Sequence, residues 1–112
     1  MYELTINTDL TFLKNAEFNF LGLGKKNISI GLWKEIKFIV NTAFLFNGEL
    51  LSVTDGYKLY ELSKKKITNV VLGENYGHLI LEFEDNNKLE LFAERGSYFS
   101  YLITSKDCII VV

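Results

Sequence analysis

The sequence predicts a mainly β domain of antiparallel sheet, and three observations carry that prediction. From His78 to Phe92, apolar residues alternate with polar ones on both sides of an Asp85-Asn86-Asn87 cluster. Period-two alternation around an Asx cluster marks a hairpin with one buried face. Asn47-Gly48 stands between two apolar runs, the strongest short-range hairpin signal, because a type I′ turn needs positive φ at both central residues. β-Branched and aromatic residues dominate and Ala is scarce, which favours strands over helices.

Along the chain, Tyr2 to Asn7 alternates weakly and reads as a short opening strand. Thr8 or Asp9 then caps a brief helical turn through Lys14, since such side chains satisfy free amides. Phe18 and Phe20 alternate with polar neighbours from Ala16 to Leu21, and Ile28 and Ile30 mirror them beyond a Gly22–Asn27 loop. Within that loop, Gly22-Leu23-Gly24-Lys25-Lys26 lacks the Walker and Rossmann spacings and runs on into a strand, so it reads as a turn. Ile36 to Phe46 reads as one long strand, with Ile36, Phe38, Val40 and Phe44 on one face and Ile39, Ala43 and Leu45 on the other. Apolar residues on both faces suit a central, covered strand.

Pairing across Asn47-Gly48 sets Leu45 against Leu50 and Phe44 against Leu51, and Asp55-Gly56 ends that strand with a turn. Tyr57 to Leu62 fits either a strand or a helical turn, and Ser63-Lys64-Lys65-Lys66 reads as a solvated connection. Ile67 to Leu72 makes another strand, then come the His78–Phe92 hairpin, a strand from Ser97 to Ile103, and an apolar last strand from Cys108 to Val112.

The hairpin register follows from keeping its leucines on one face. A three-residue loop at Asp85-Asn86-Asn87 pairs Phe83 with Leu89 and Leu81 with Leu91, and sets Glu84 opposite Lys88. It also sets Glu82 opposite Glu90, a like-charge pair that disfavours folding by a few tenths to ~1 kcal/mol. Two readings follow. A neighbouring Lys or Arg neutralises the carboxylates, or they form an acidic patch of Glu82, Glu84, Asp85, Glu90 and Glu94 kept for a basic partner.

FLGLGKKNISIGL (Phe20 to Leu32) aligns with VLGENYGHLILEF (Val71 to Phe83) at an offset of 51. Downstream, Ile36 and Phe38 match Leu89 and Leu91, Phe44–Phe46 match Tyr101–Ile103, and Leu50–Val53 match the last strand. The expected architecture is a single domain over residues 1–112 with two similar β-meander halves, about 16–54 and 67–112. The halves form a sandwich or a partly open barrel, with at most one or two short helices, and each needs the other to cover its apolar face.

The chain is long enough to bury a core without disulfide or metal, and its net charge of −2 argues against nucleic acid, which calls for a basic stripe. A single cysteine, Cys108, excludes an internal disulfide and fits a reducing compartment. MYELTINTDL is not a secretory signal and no apolar run reaches the ~20 residues that span a bilayer, so a cytoplasmic, non-membrane protein is expected. Chemistry is sparse. The lone His78 lacks the partners of a triad or metal site, Cys108 lies in an apolar run that disfavours its thiolate, and the carboxylates sit on an open hairpin rather than in a cleft. No catalytic residue, metal ligand or cofactor is expected. Trp33 is the best single interface residue, since Trp dominates hot spots where it is exposed.

The runs IKFIVNTAFLFNGELLSVTDGY, ITNVVLGENYGHLILEFEDNNKLELF and GSYFSYLI resemble a group of small bacterial proteins. These share a strand ending in Trp-Arg, an ILxxSxD segment, an LxLxFxdgxxLxv hairpin and a YExW strand. The likeness covers roughly residues 16 to 103. Here Ala43-Phe44 stands where Trp-Arg would be, and Ser100-Tyr101 where the last motif would end. Members of that group resemble, and sometimes accompany, immunity proteins of polymorphic toxin systems. The resemblance implies a non-enzymatic protein that neutralises a cognate toxin with a basic surface. Together with the Glu82/Glu90 juxtaposition, it makes the acidic hairpin and aromatic residues the expected contact face: Glu82, Glu84, Asp85, Glu90 and Glu94 with Trp33, Tyr98 and Tyr101. Two alternatives stand beside it: a small β-barrel holding an apolar or nucleotide-like ligand between its halves, and a self-associating structural domain, such as a homodimer.

Overall fold

The computed structural model describes residues 9–33, 35–73, 77–93, 100–106 and 109–112. Among these residues, ten strands form two antiparallel five-stranded sheets: β1 (Phe18–Leu23), β2 (Ile28–Leu32), β3 (Ile36–Val40), β4 (Phe44–Phe46), β5 (Glu49–Leu51), β6 (Ile67–Leu72), β7 (Leu79–Phe83), β8 (Asn87–Leu91), β9 (Tyr101–Thr104) and β10 (Ile109–Val111). One sheet has the order β1-β2-β3-β9-β10 and the other β5-β4-β8-β7-β6. The sheets stay open rather than closing into a barrel. Their inner faces supply one apolar core, with Phe18, Ile30, Phe38, Tyr101 and Ile103 from the first and Ile67, Leu81, Phe83, Leu89 and Phe44 from the second.

The halves do not remain separate meanders. Each sheet takes three strands from one half and the last two from the other. The expected long strand Ile36–Phe46 is therefore two strands, β3 and β4, in different sheets, and residues 41–43 carry the chain across. Sequence alternation runs unbroken over this stretch because Val40 and Phe44 both end up inside, so the crossing leaves no mark on the pattern.

The two sheets match strand for strand. Phe18 pairs with Leu32 and Ile67 with Phe83, and a one-residue bulge follows in each edge strand. Phe18 exchanges hydrogen bonds with Lys64 and Lys65, and Ile67 does the same with Asn15 and Ala16. Asn15 and Lys64 take positive φ at corresponding places, as do Glu35 and Asn86. Trp33 donates its amide to the Glu17 carbonyl, and Glu84 donates its own to Lys66. Glu17 and Lys66 form a bridge with each other, the point about which the halves interchange. The offset of 51 holds from β2 to β7 and from β3 to β8, so Phe38 matches Leu89 and Val40 matches Leu91. In β1 the match slips by two residues, because the loop of the second hairpin is that much longer.

Asn47 and Gly48 have φ of 52° and 85°, the type I′ geometry, and Leu45 pairs with Leu50 and Phe44 with Leu51 as expected. Asp9 accepts hydrogen bonds from the amide and hydroxyl of Thr11 and starts a short 3-10 turn, Thr11–Leu13. Asp55-Gly56 does not end a strand. It lies in a 3-10 helix, Val53–Leu62, whose first turn is held by the Asp55 carboxylate accepting from the Ser52 amide and hydroxyl. Leu59 and Leu62 of that helix are fully buried, while Tyr57 and Tyr60 point outward.

Candidate protein-binding face

The β7–β8 hairpin carries the carboxylates, and its register is two residues away from the expected one. The loop is Glu84–Asn86, with Asp85 and Asn86 both at positive φ. Leu81 therefore faces Leu89, Leu79 faces Leu91, and Glu82 faces Lys88. Glu90 lies opposite Ile80, so the Glu82/Glu90 opposition does not exist. A slip of two keeps every side chain on its own face, so alternation cannot distinguish the two registers. The observed one exchanges a like-charge pair for an opposite-charge pair.

The remaining carboxylates are also engaged. Glu84 Oε1 accepts the Lys66 amide at 2.7 Å, and Asp85 pairs with Lys65 Nζ. Glu90 is nearly buried, with His78 Nε2 at 3.1 Å from Oε1 and Lys88 Nζ at 3.7 Å from Oε2. The His78 ring in turn stacks on Phe92, with centroids 4.5 Å apart. Lys65 from the adjacent segment and Lys88 within the hairpin thus bring cationic side chains to this ribbon, and Lys66 brings its main-chain amide. Glu94 and Tyr98 lie outside the described residues, as does Cys108. Tyr101 is wholly buried and donates its hydroxyl to the Gly77 carbonyl at 2.6 Å, so it belongs to the core and not to a contact face. Burial holds its phenol well above the ordinary tyrosine range.

Trp33, 60% exposed, leads to a surface that the periodicity did not single out. It sits in the β2–β3 turn and shares a depression with Asn19, Leu32, Glu35 and Lys106. Asn19 also lines the neighbouring groove, where the edge of β1 meets the 3-10 helix, with Leu21, Leu23, Tyr57 and Tyr60. Phe20 flanks the groove on the outer face of β1. Its side chain lies against Gly22 and Gly31, where an added Cβ would come within 3.1 Å of the ring and 2.9 Å of the Phe20 Cβ respectively. Phe20, Leu23, Tyr57 and Tyr60 are each more than half exposed.

The second half provides a comparison within the same molecule. A matching groove lies between β6 and the Thr11–Leu13 turn, lined by Leu10, Thr11, Lys14, Val70 and Leu72 among others. At the places held by Phe20, Trp33 and Tyr60, the second-half surface has Asn69, Glu84 and Thr11. The same backbone is therefore built with polar residues there, and the fold does not require the aromatic ones. Comparing the two halves' sequences position by position would have revealed this contrast, but only with the two-residue slip in β1 taken into account.

Among the described residues, no cluster of three or more His, Cys, Asp and Glu side chains is placed to hold a metal ion. No helix among them is long and apolar enough to cross a membrane. No protein-family model, curated protein or solved structure matches this chain.

Proposed function

We propose that this chain is a non-enzymatic protein-binding domain whose contact face is the β1 edge with Trp33, Phe20, Leu23, Tyr57 and Tyr60. The observation that carries the reading is the contrast between halves: exposed aromatic residues on one edge, Asn69, Glu84 and Thr11 at the matching places on the other. Exposed large apolar side chains gathered in one place mark interaction surfaces, and Trp and Tyr supply most of the energy where a partner excludes water. The resemblance to immunity proteins makes a toxin the partner class and neutralisation by occlusion the mechanism. The hairpin carboxylates then have a structural role, tying β7 and β8 to Lys65, Lys66 and Lys88.

The test uses substitutions borrowed from the other half, Phe20→Asn and Tyr60→Thr, which suit the same backbone. The probe is the C-terminal domain of each protein encoded beside this chain, co-expressed with it as the candidate toxin. Wild type should co-purify with that domain and protect the cell, and the double variant should lose at least tenfold in affinity (~1.4 kcal/mol or more) with an unchanged unfolding midpoint. Equal binding by wild type and double variant would discard this face. Failure of wild type to bind would discard the toxin reading.

A further inference from the structure

The β1 edge has unpaired main chain as well as exposed side chains, and the molecule shows what covers such an edge. At its first residues β1 is already extended by a piece of its own chain: Phe18 receives the Lys64 amide and donates to the Lys65 carbonyl, and Glu17 bridges Lys66. That cover stops at Lys64, which turns away with φ of 65°. Beyond it, Gly24 donates to the Asn27 carbonyl across the β1–β2 turn. In an antiparallel ladder the direction of the main-chain groups alternates. Gly22 therefore faces β2, and the N–H and C=O of Leu21 and Leu23 point out from the edge. Natural edges are blunted by charge, Pro or a covering segment. The stretch Phe20-Leu21-Gly22-Leu23 has no charge and no Pro, and its side chains offer apolar surface on both faces of the sheet.

Charge brackets this stretch. Lys25 and Lys26 follow Leu23 after a single glycine, and Lys64 follows Ser63 at the opposite end of the groove. All three are exposed, and none makes an ion pair among the described residues. We infer that the partner is captured by strand addition: an extended segment, apolar in its middle and acidic at its ends, pairs with the outward main chain of Leu21 and Leu23. Its side chains pack on Phe20 and Leu23 and between Tyr57 and Tyr60, and its carboxylates meet Lys25, Lys26 and Lys64. This rests on the contact face proposed above and specifies how that face is used. Main-chain pairing supplies affinity in such complexes and alternate side-chain pockets supply selectivity.

The experiment pans a random-decapeptide display library against the full chain. Enriched peptides should share alternating β-branched or aromatic residues flanked by Asp or Glu, and the consensus peptide should slow hydrogen exchange at the amides of Leu21 and Leu23. Leu23→Ser removes the side chain and keeps the amide, whereas Leu23→Pro removes both at an edge position that tolerates Pro. The Kd of the consensus peptide should be about tenfold higher for Leu23→Pro than for Leu23→Ser, and Lys25→Glu with Lys26→Glu should raise it further. A basic or Pro-rich consensus, absence of enrichment, or unprotected amides at Leu21 and Leu23 overturns strand addition. Equal affinity of the two Leu23 variants also overturns it. If Phe20→Asn with Tyr60→Thr still abolishes toxin binding in that case, the face stands and only its mode of use falls. A dimer in ultracentrifugation that Leu23→Pro dissolves makes a second copy the occupant, and likewise overturns the acidic segment.

Discussion

Tyr101→Phe removes one buried hydrogen bond while leaving the volume of the core almost unchanged. The phenol is inaccessible to solvent and its hydroxyl reaches the Gly77 carbonyl at 2.6 Å. Phe44 holds the matching place in the other sheet, also fully buried, so a phenylalanine ring is compatible with this site. The expected loss is about 1–3 kcal/mol, the range for leaving a buried acceptor unsatisfied. Urea unfolding at pH 7 should show a lower midpoint with unchanged m, because the exposed surface does not change.

The pH dependence gives a second, independent readout. Burial raises the Tyr101 pKa, so the native state keeps its proton when the unfolded chain, titrating near 10, has released it. The stabilisation associated with the neutral phenol is fully present below pH 10 and is lost as pH rises towards the folded value, with a slope of up to ~1.4 kcal/mol per pH unit. The Phe variant has no such slope at this position. The stability gap between wild type and Tyr101→Phe should therefore narrow above pH 10. A gap below ~0.3 kcal/mol at pH 7, or one that widens above pH 10, would refute the account of a desolvated, hydrogen-bonded phenol.

Two other perturbations follow from the hairpins. Asn47→Ala puts a side chain that disfavours positive φ at a residue with φ of 52°, and deletes hydrogen bonds to the Lys88 amide and to Asn87. A loss of about 1–2 kcal/mol in chemical denaturation is expected, and an unchanged midpoint would contradict the type I′ geometry. A double-mutant cycle on Glu82 and Lys88 should give a favourable coupling of about 0.2–1 kcal/mol. Zero coupling there, with strong coupling between Glu84 and Lys88 instead, would restore the alternative register.

The candidate face shows where reading from sequence stops. Trp33 stands out in the sequence because Trp is rare and potent at interfaces. Phe20 could not be told from a core residue, since an alternating aromatic normally points inward, and Leu23 reads as part of a glycine turn whereas β1 runs through it. The bulge after Phe18 turns Phe20 to the outer face, and the position of β1 at the sheet edge leaves Leu23 exposed although it lies opposite the buried Ile28. Tyr101 is the converse case, a tyrosine offered as a contact and found in the core because β9 is covered on its inner face. The carboxylates of the hairpin were visible as a cluster. Their partners Lys65 and Lys66 come from a connection that had no assigned role until the chain folded back on itself.

Local chemistry in the chain dictated where strands lie and which side of each is apolar: Leu79–Phe83 alternates because one face is buried, and Asn47-Gly48 turns because both residues tolerate positive φ. It also left the trace of two equivalent halves. Only the tertiary structure decided which strands become neighbours: that β4 and β5 leave β3 for β8, that β9 and β10 join β3 in exchange, and that β1 ends up with an open edge. The reason is that side-chain alternation encodes a direction, in or out, and is indifferent to shifts of two residues and to the identity of the adjoining strand. Partner choice depends on contacts between residues far apart in the chain, and those exist only once both sheets are closing over the same core.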